Sequence, residues 1–240
     1  MDTLNRSKHT QESMRLAGIS SMATRKLLLE LAQAYRETSG IEVLIESVGG
    51  VDALRRVQSG EPFDFVVLAA DAIAVLIAGG HVAADSRTDL VRSPVAIGVR
   101  TGCERPDVNS EEALRHAVLA ARTLGYSTGP SGTALLKLFE RWGISDIVRD
   151  RLVQAPPGVP VGQLVASGEI ELGFQQYSEM MDLPGLAILA SMPPGTEIIS
   201  TFTAGICTAS KQPAAARGLL DFMSSPECAE TKRRHGMEAA

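Results

Sequence analysis

Between Tyr126 and Thr133 the chain reads Tyr-Ser-Thr-Gly-Pro-Ser-Gly-Thr, set between a short apolar run and an amphipathic stretch. At the start of a helix, residues of these types leave backbone N–H groups without intrahelical partners and add hydroxyl donors beside them. That arrangement can cradle a small anion. Ser127, Ser131, Gly132 and Thr133 are the donors this reading names, and the Tyr126 phenol either orients a carboxylate or completes a buried strand end. The alternative is an ordinary Ser/Thr N-cap with a turn at Gly129-Pro130. Two more hydroxyl or glycine turns stand before helical patterns, Ser20-Ser21 and Gly49-Gly50, so the loop is one of a set.

Positioning such turns needs strands that deliver them to one place. Arg15 to Ile19 reads as a short strand, Ser20-Ser21 as its turn, and Met22 to Thr38 as an amphipathic helix stopped by Ser39-Gly40. The unit repeats with Ile41 to Val48, Gly49-Gly50 and Val51 to Gln58. It repeats again with Phe63 to Leu68, whose FVVL core suits a sheet covered on both faces, and a helix from Asp71 to Ala78. Three β-α units in succession imply a parallel sheet with right-handed crossovers. Leu90 to Val99 is a β-type segment interrupted at Ser93-Pro94, after which the β-α rhythm restarts at Glu111, and Ile198 to Thr208 is extended again. The expected fold is therefore α/β with two Rossmann-like lobes: residues 14–91 plus 198–240 form a discontinuous first lobe and residues 92–197 the second. Residues 1–13 are expected to be a flexible N-terminal segment. Ligands of open α/β sheets lie outside the carboxyl ends of the strands, so the turns would face each other across a cleft.

Composition excludes several other functions. The net charge is −5 and the 23 basic residues are scattered, so nucleic acid is not an expected partner. Aromatic residues make up 4%, too few for stacking platforms. The three cysteines, Cys103, Cys207 and Cys228, are widely spaced and form no CxxC pair, which argues against a disulfide framework or a zinc site. No cofactor or metal is expected. No run approaches about 18 apolar residues, so no membrane span is expected. Met1 to Ser13 is polar and lacks the apolar core of a secretory signal, giving a cytoplasmic expectation for the chain as written, or a periplasmic one if a leader has been removed.

Taken together, the turns after Ile19 and Val48, the strand Phe63 to Leu68 and Asp71 resemble the first lobe of the type II periplasmic binding proteins, and within them the molybdate-binding group. Val165-Ala166-Ser167-Gly168-Glu169-Ile170-Glu171-Leu172-Gly173 is similar to that group's VA.GEA..G signature. Pro213 to Ala216 and Leu220 to Glu227 are similar to its AA..LLDFL.SPE tail. The resemblance runs from about Met14 to Gly236. Two positions depart from it: Val51 stands where that group has a serine after the paired glycines, and Gln175-Gln176 where it has a tyrosine. The segment Gly173 to Glu179 resembles a divergent subgroup associated with small organic anions and with aconitate isomerases.

The resemblance implies an interlobe site built from Ser20, Ser21, Gly49, Gly50, Asp71, Ser127, Ser131, Gly132, Thr133 and Gln176. Arg92 at the lobe crossing would grip a carboxylate, or else stand as a surface cation. Isomerisation of the aconitate type moves a proton along an allylic carboxylate system and needs a base as well as donors for the developing charge. Glu179 is the first candidate for the base, with Asp71, His116 and Tyr126 behind it. His116 also fits a helix face, and Glu179 a first-turn helix carboxylate. The competing expectation is a binding component of an importer for molybdate or another small oxyanion, without catalysis, and only that reading requires an importer as partner.

Overall fold

The computed structural model describes residues 14–240. The segment 1–13 expected to be flexible lies outside the described residues. Strand β1 (Arg15–Ser21) leads through a 3-10 turn into α1 (Arg25–Ser39), followed by β2 (Glu42–Val48), α2 (Gly50–Gln58), β3 (Phe65–Ala69) and α3 (Ala70–Ala78). The thirteen-residue β4 (Thr88–Arg100) then carries the chain to α4 (Glu111–Ala120), β5 (Leu124–Tyr126), α5 (Pro130–Arg141) and the short α6 (Ser145–Val148). Next come β6 (Leu152–Gln154), α7 (Val161–Ser167), β7 (Leu172–Gln176), α8 (Tyr177–Met180) and β8 (Leu186–Ser191). The chain ends with β9 (Ile199–Ile206), α9 (Pro213–Ser224), α10 (Ala229–Arg234) and β10 (Glu238–Ala239).

Local chemistry accounts for the main elements. In α1, Leu27, Leu28, Leu31 and Tyr35 recur on one buried face, and Gly40 at φ 73° ends the helix by donating its N–H to Arg36. All five residues of β3 are buried, as its unbroken apolar run requires of a strand covered on both faces.

The strands follow the order β2-β1-β3-β9-β4-β7-β5-β6. β1 pairs in parallel with β2 and β3, and β5 in parallel with β6 and β7. Between these parallel groups lie β9 and β4, antiparallel to their neighbours and to each other. The described sheet thus has two parallel wings hung on one antiparallel pair. One wing packs on clusters that include Leu28, Phe65 and Leu220, and Ile19, Val66 and Ile73; the other packs on Ile97, Leu124 and Phe139, and Val161 and Ile170.

Where sequence periodicity suggests a break at Ser93-Pro94, β4 runs through without one. Pro94 has no N–H to contribute to a ladder, and it falls where β4 changes partners: Pro94 is opposite Ile199 of β9, and Val95 is already opposite Gln176 of β7. Three strands, β6, β8 and β10, have no counterpart among the sequence expectations. β6 has three residues and β10 two, too few for a period, and β8 is half-buried along most of its length, without alternation.

The wing built on β1 is tightly toleranced at Gly18. A Cβ placed there would come within 2.2 Å of the Phe65 ring, and Phe65 is fully buried. Gly18→Ala should therefore destabilise the protein by about 1–3 kcal/mol through overpacking. Urea denaturation should show the midpoint moving down with little change in slope.

Candidate functional site

β1, β2, β3 and β5 run in parallel within their wings, and each delivers the start of a helix to its carboxyl end. These starts border one cleft of about 570 Å³. From the first wing come Ser21, Gly49, Gly50 and Asp71; from the second come Ser127, Ser131 and Thr133, with Gln176 and Glu179 from the end of β7.

Ser21 is buried, lines the cleft, and has an Oγ with no hydrogen-bond partner among the described residues. Its side chain makes no cap bond to the turn that follows. A buried hydroxyl without a partner is costly, and an acceptor group on a ligand would satisfy it. At α2, Gly49 accepts the N–H of Ala53, and the first-turn amides beginning at Gly50 have no intrahelical carbonyl to bond. At α5, the hydroxyls of Ser127 and Ser131 lie 3.1 Å apart and share a hydrogen bond. Gly132 and Thr133 both donate their N–H groups to Gly129, at 3.0 and 3.3 Å, leaving the Ser131 amide without a partner among the described residues. The cradle is therefore narrower than the sequence pattern suggests, because Pro130 at the first helical position has no N–H to add.

Five residues expected at the site do not border the cleft. Ser20 is completely buried, and its Oγ shares a hydrogen bond with Ser47 Oγ at 2.8 Å, tying β1 to β2 rather than capping α1. Gly132 supports the cradle from behind: a Cβ there would sit 2.0 Å from the Ser127 carbonyl oxygen, so only glycine lets α5 approach the loop. Tyr126 is half-buried against the second-wing core and serves the loop through its backbone carbonyl, which accepts from Ala155. Arg92 is exposed on β4, opposite Thr201 of β9 and Glu238 of β10. Strand alternation turns Ser93, and not Arg92, into the interior. His116 is exposed on α4.

The charged groups around the cleft are few. Asp71 is exposed at the start of α3, where its Oδ1 accepts from the Ala72 amide. Glu179 is half-buried in the cleft wall, and desolvation raises its carboxyl from the ordinary 4.5 to about 7, opposed in part by a hydrogen bond with the Gln175 side chain. Lys137, two turns into α5, is the one Lys or Arg bordering the cleft among the described residues. Sequence reasoning missed it, although Pro130, Ala134 and Lys137 recur at helical spacing and so share a face. Among the described residues no group of three or more His, Cys, Asp and Glu could hold a metal ion, and no helix is long and apolar enough to cross a membrane.

A family model described as a bacterial extracellular solute-binding protein matches residues 16–238. The chain belongs to that family. It is 32% identical over 231 residues to aconitate isomerase from a Pseudomonas species, covering 93% of this chain and 87% of that protein. It is 24% identical over 214 residues to the molybdate-binding protein ModA of Azotobacter vinelandii, covering 86% and 83%. The solved Azotobacter vinelandii periplasmic molybdate-binding protein superposes with a TM-score of 0.78 at 19% identity, covering 94% of this chain and 99% of that one. The fold is the two-lobed type II arrangement that the sequence resemblance implies.

Within this solute-binding protein, the departure at Gln175-Gln176 has a structural purpose. Both side chains are buried, because β7 is covered on both faces. Gln175 accepts the Gly162 amide at 3.1 Å and so anchors α7. Gln176 lies across both crossing strands: with its amide turned so that each end finds a partner, its Nε2 donates to the Ser93 carbonyl at 2.9 Å and to Ser93 Oγ at 2.8 Å, while its Oε1 accepts from Ser200 Oγ at 2.7 Å. Ser93 and Ser200 are themselves opposite each other in the β4–β9 ladder. Although Gln176 borders the cleft, its amide is thus committed to the hinge. Gln176→Ala should remove these bonds, leave Ser93 and Ser200 unpaired, and cost about 1–3 kcal/mol, to be read by chemical denaturation.

Proposed function

We propose that this solute-binding protein holds a small organic di- or tricarboxylate in the cleft and isomerises it by moving an allylic proton, with Glu179 as the base. In this reading residues 14–91 plus 198–240 form one jaw and 92–197 the other. The observation that carries it is Glu179: a cleft-lining carboxyl whose titration lies near neutrality stands beside neutral donors from several helix starts. The similarity to an aconitate isomerase over nearly the whole chain supports the same chemistry.

In the proposed step, the Glu179 carboxylate takes a proton from the methylene next to one end of the substrate's double bond. The electron pair left behind spreads over the allylic system into a carboxylate. Partial positive charge at the starts of α2 and α5, and the hydroxyls of Ser21, Ser127 and Ser131, hold the charge that develops there. Protonated Glu179 then returns the proton to the other end, and the double bond has moved or changed geometry. Atoms and electrons balance within substrate and protein, so the step needs no cofactor. Asp71 stands at the opposite side as a second carboxylate, and Tyr126 acts as a positioning residue for the loop.

The second reading is an extracytoplasmic binding component of an importer, supported by the family and by the molybdate-binding relative. The isomerase reading suits a cytoplasmic protein, and the importer reading one delivered across the membrane. The two separate cleanly in a single assay. Incubation with cis- or trans-aconitate and related unsaturated carboxylates in deuterated water should give solvent exchange and isomer formation, followed by nuclear magnetic resonance. Ligand-induced thermal stabilisation with no exchange across the panel would establish binding alone.

The pH dependence follows from Glu179. Its charged form is the base, so kcat/KM should rise with pH through about 7 and level off above it. Because the folded protein favours the neutral carboxyl, Glu179 contributes stability that is fully present below 4.5 and lost as pH rises through about 7. Glu179→Gln should abolish exchange and flatten that part of the stability profile, measured by thermal melts between pH 4 and pH 9. Ser131→Ala should weaken carboxylate binding about tenfold by calorimetry, the value of one hydrogen bond to a charged group. Unchanged affinity would remove the α5 cradle from the site.

A further inference from the structure

The cleft is mostly apolar away from its donors. On the first-wing side Val51 and Val75 are 44% and 49% exposed, and Leu54 stands one turn along α2 from Val51. Val51 follows Gly50 at the start of α2, so an apolar side chain stands beside the first-turn amides. Facing them, α5 presents Pro130, Ala134 and Lys137 as one stripe. Ser131 and Lys137 are six residues apart on this helix, about 9 Å along its axis. Beyond Thr133, apolar surface therefore lies between the cradle and the cleft's cation.

Charge narrows the occupant further. Lys137 forms no ion pair among the described residues, and the other charged groups bordering the cleft, Asp71 and Glu179, are acids. A compact tricarboxylate would bring three negative charges to one ammonium and leave two of them to neutral donors beside two acids. The volume of about 570 Å³ falls within the range of organic-ligand pockets, roughly 300–1,000 Å³, and is generous for a tetrahedral oxyanion. The unpartnered, nearly buried Ser21 Oγ marks the donor end as built for an acceptor.

We infer that the substrate is an unsaturated dicarboxylate with an apolar stretch between its ends, one carboxylate held by the Ser21, Gly50 and Ser131 donors and the other by Lys137. The inference rests on the carboxylate reading above and narrows it. Val51, Leu54, Val75 and Ala134 cover the spacer, and Glu179 meets the allylic carbon near the donor end. Lys137 is then the residue that sets specificity for the second charge.

Calorimetry on the full chain tests this with four probes: trans-2-octenedioate, trans-2-octenoate, trans-aconitate and molybdate. Wild-type protein should bind octenedioate tightest. Lys137→Met keeps the apolar stem and removes the charge, and it should weaken octenedioate about tenfold while leaving octenoate within about twofold. Val75→Asp should weaken both eight-carbon acids. Tighter binding of trans-aconitate would overturn the dicarboxylate inference and leave the carboxylate reading intact, whereas tightest binding of molybdate, or of no carboxylate, would overturn both. Equal loss of octenedioate and octenoate in Lys137→Met would also overturn the inference, since Lys137 would then act on the jaws and not on the second charge.

Discussion

The β4–β9 antiparallel pair is the constraint on which the molecule depends. Both parallel wings hang from it, β3 on the outer edge of β9 and β7 on the far half of β4. The chain passes between wings at Pro94 and Ile199, which are opposite each other, so two neighbouring peptide segments set the angle of the jaws. Gln176 bonds both strands from the end of β7, three residues before Glu179 on the same turn. Hinge geometry and the position of the acid are therefore linked through a single short segment.

The cleft solves an electrostatic problem by using partial charges. Helix starts supply oriented N–H groups that attract an anion without a full counter-charge, and such donors leave a nearby acid free to keep a high pKa. An arginine in the same place would favour the charged form of Glu179 and lower its pKa. With Lys137 the one lysine or arginine bordering the cleft among the described residues, two turns along α5, burial dominates at Glu179 and lifts it towards neutrality. Arg92 stays clear of this balance because the alternation of β4 places it outside.

The repeated β-α units, the glycine stops and the apolar run of β3 were legible because each is a local pattern with a fixed period. Ser21, Gly49, Gly50 and Ser131 were legible for a related reason: helix starts announce themselves, and parallel strands gather them at one edge. Ser20 and Ser21 are adjacent and identical, yet one bonds Ser47 and the other borders the cleft without a partner. That choice depends on β2, which sets Ser47 opposite Ser20 in the ladder, and on the opposite faces that adjacent strand residues take. Nothing local marked Lys137 and Ser200 as bordering the cleft, since a lysine on a helix and a serine in a strand are common surface and ladder residues.

By itself the sequence determined the α/β rhythm and the hydroxyl and glycine turns that open the helices, because hydrogen-bonding supply and hydrophobic period are properties of short segments. Tertiary structure alone decided that Gln176 is a hinge clamp, that Tyr126 supports the loop from outside the cleft, and that Glu179 titrates near neutrality. Each of these depends on desolvation or on a partner far away in the chain. Such effects arise only when the wings are brought together, which no local pattern of residues can specify.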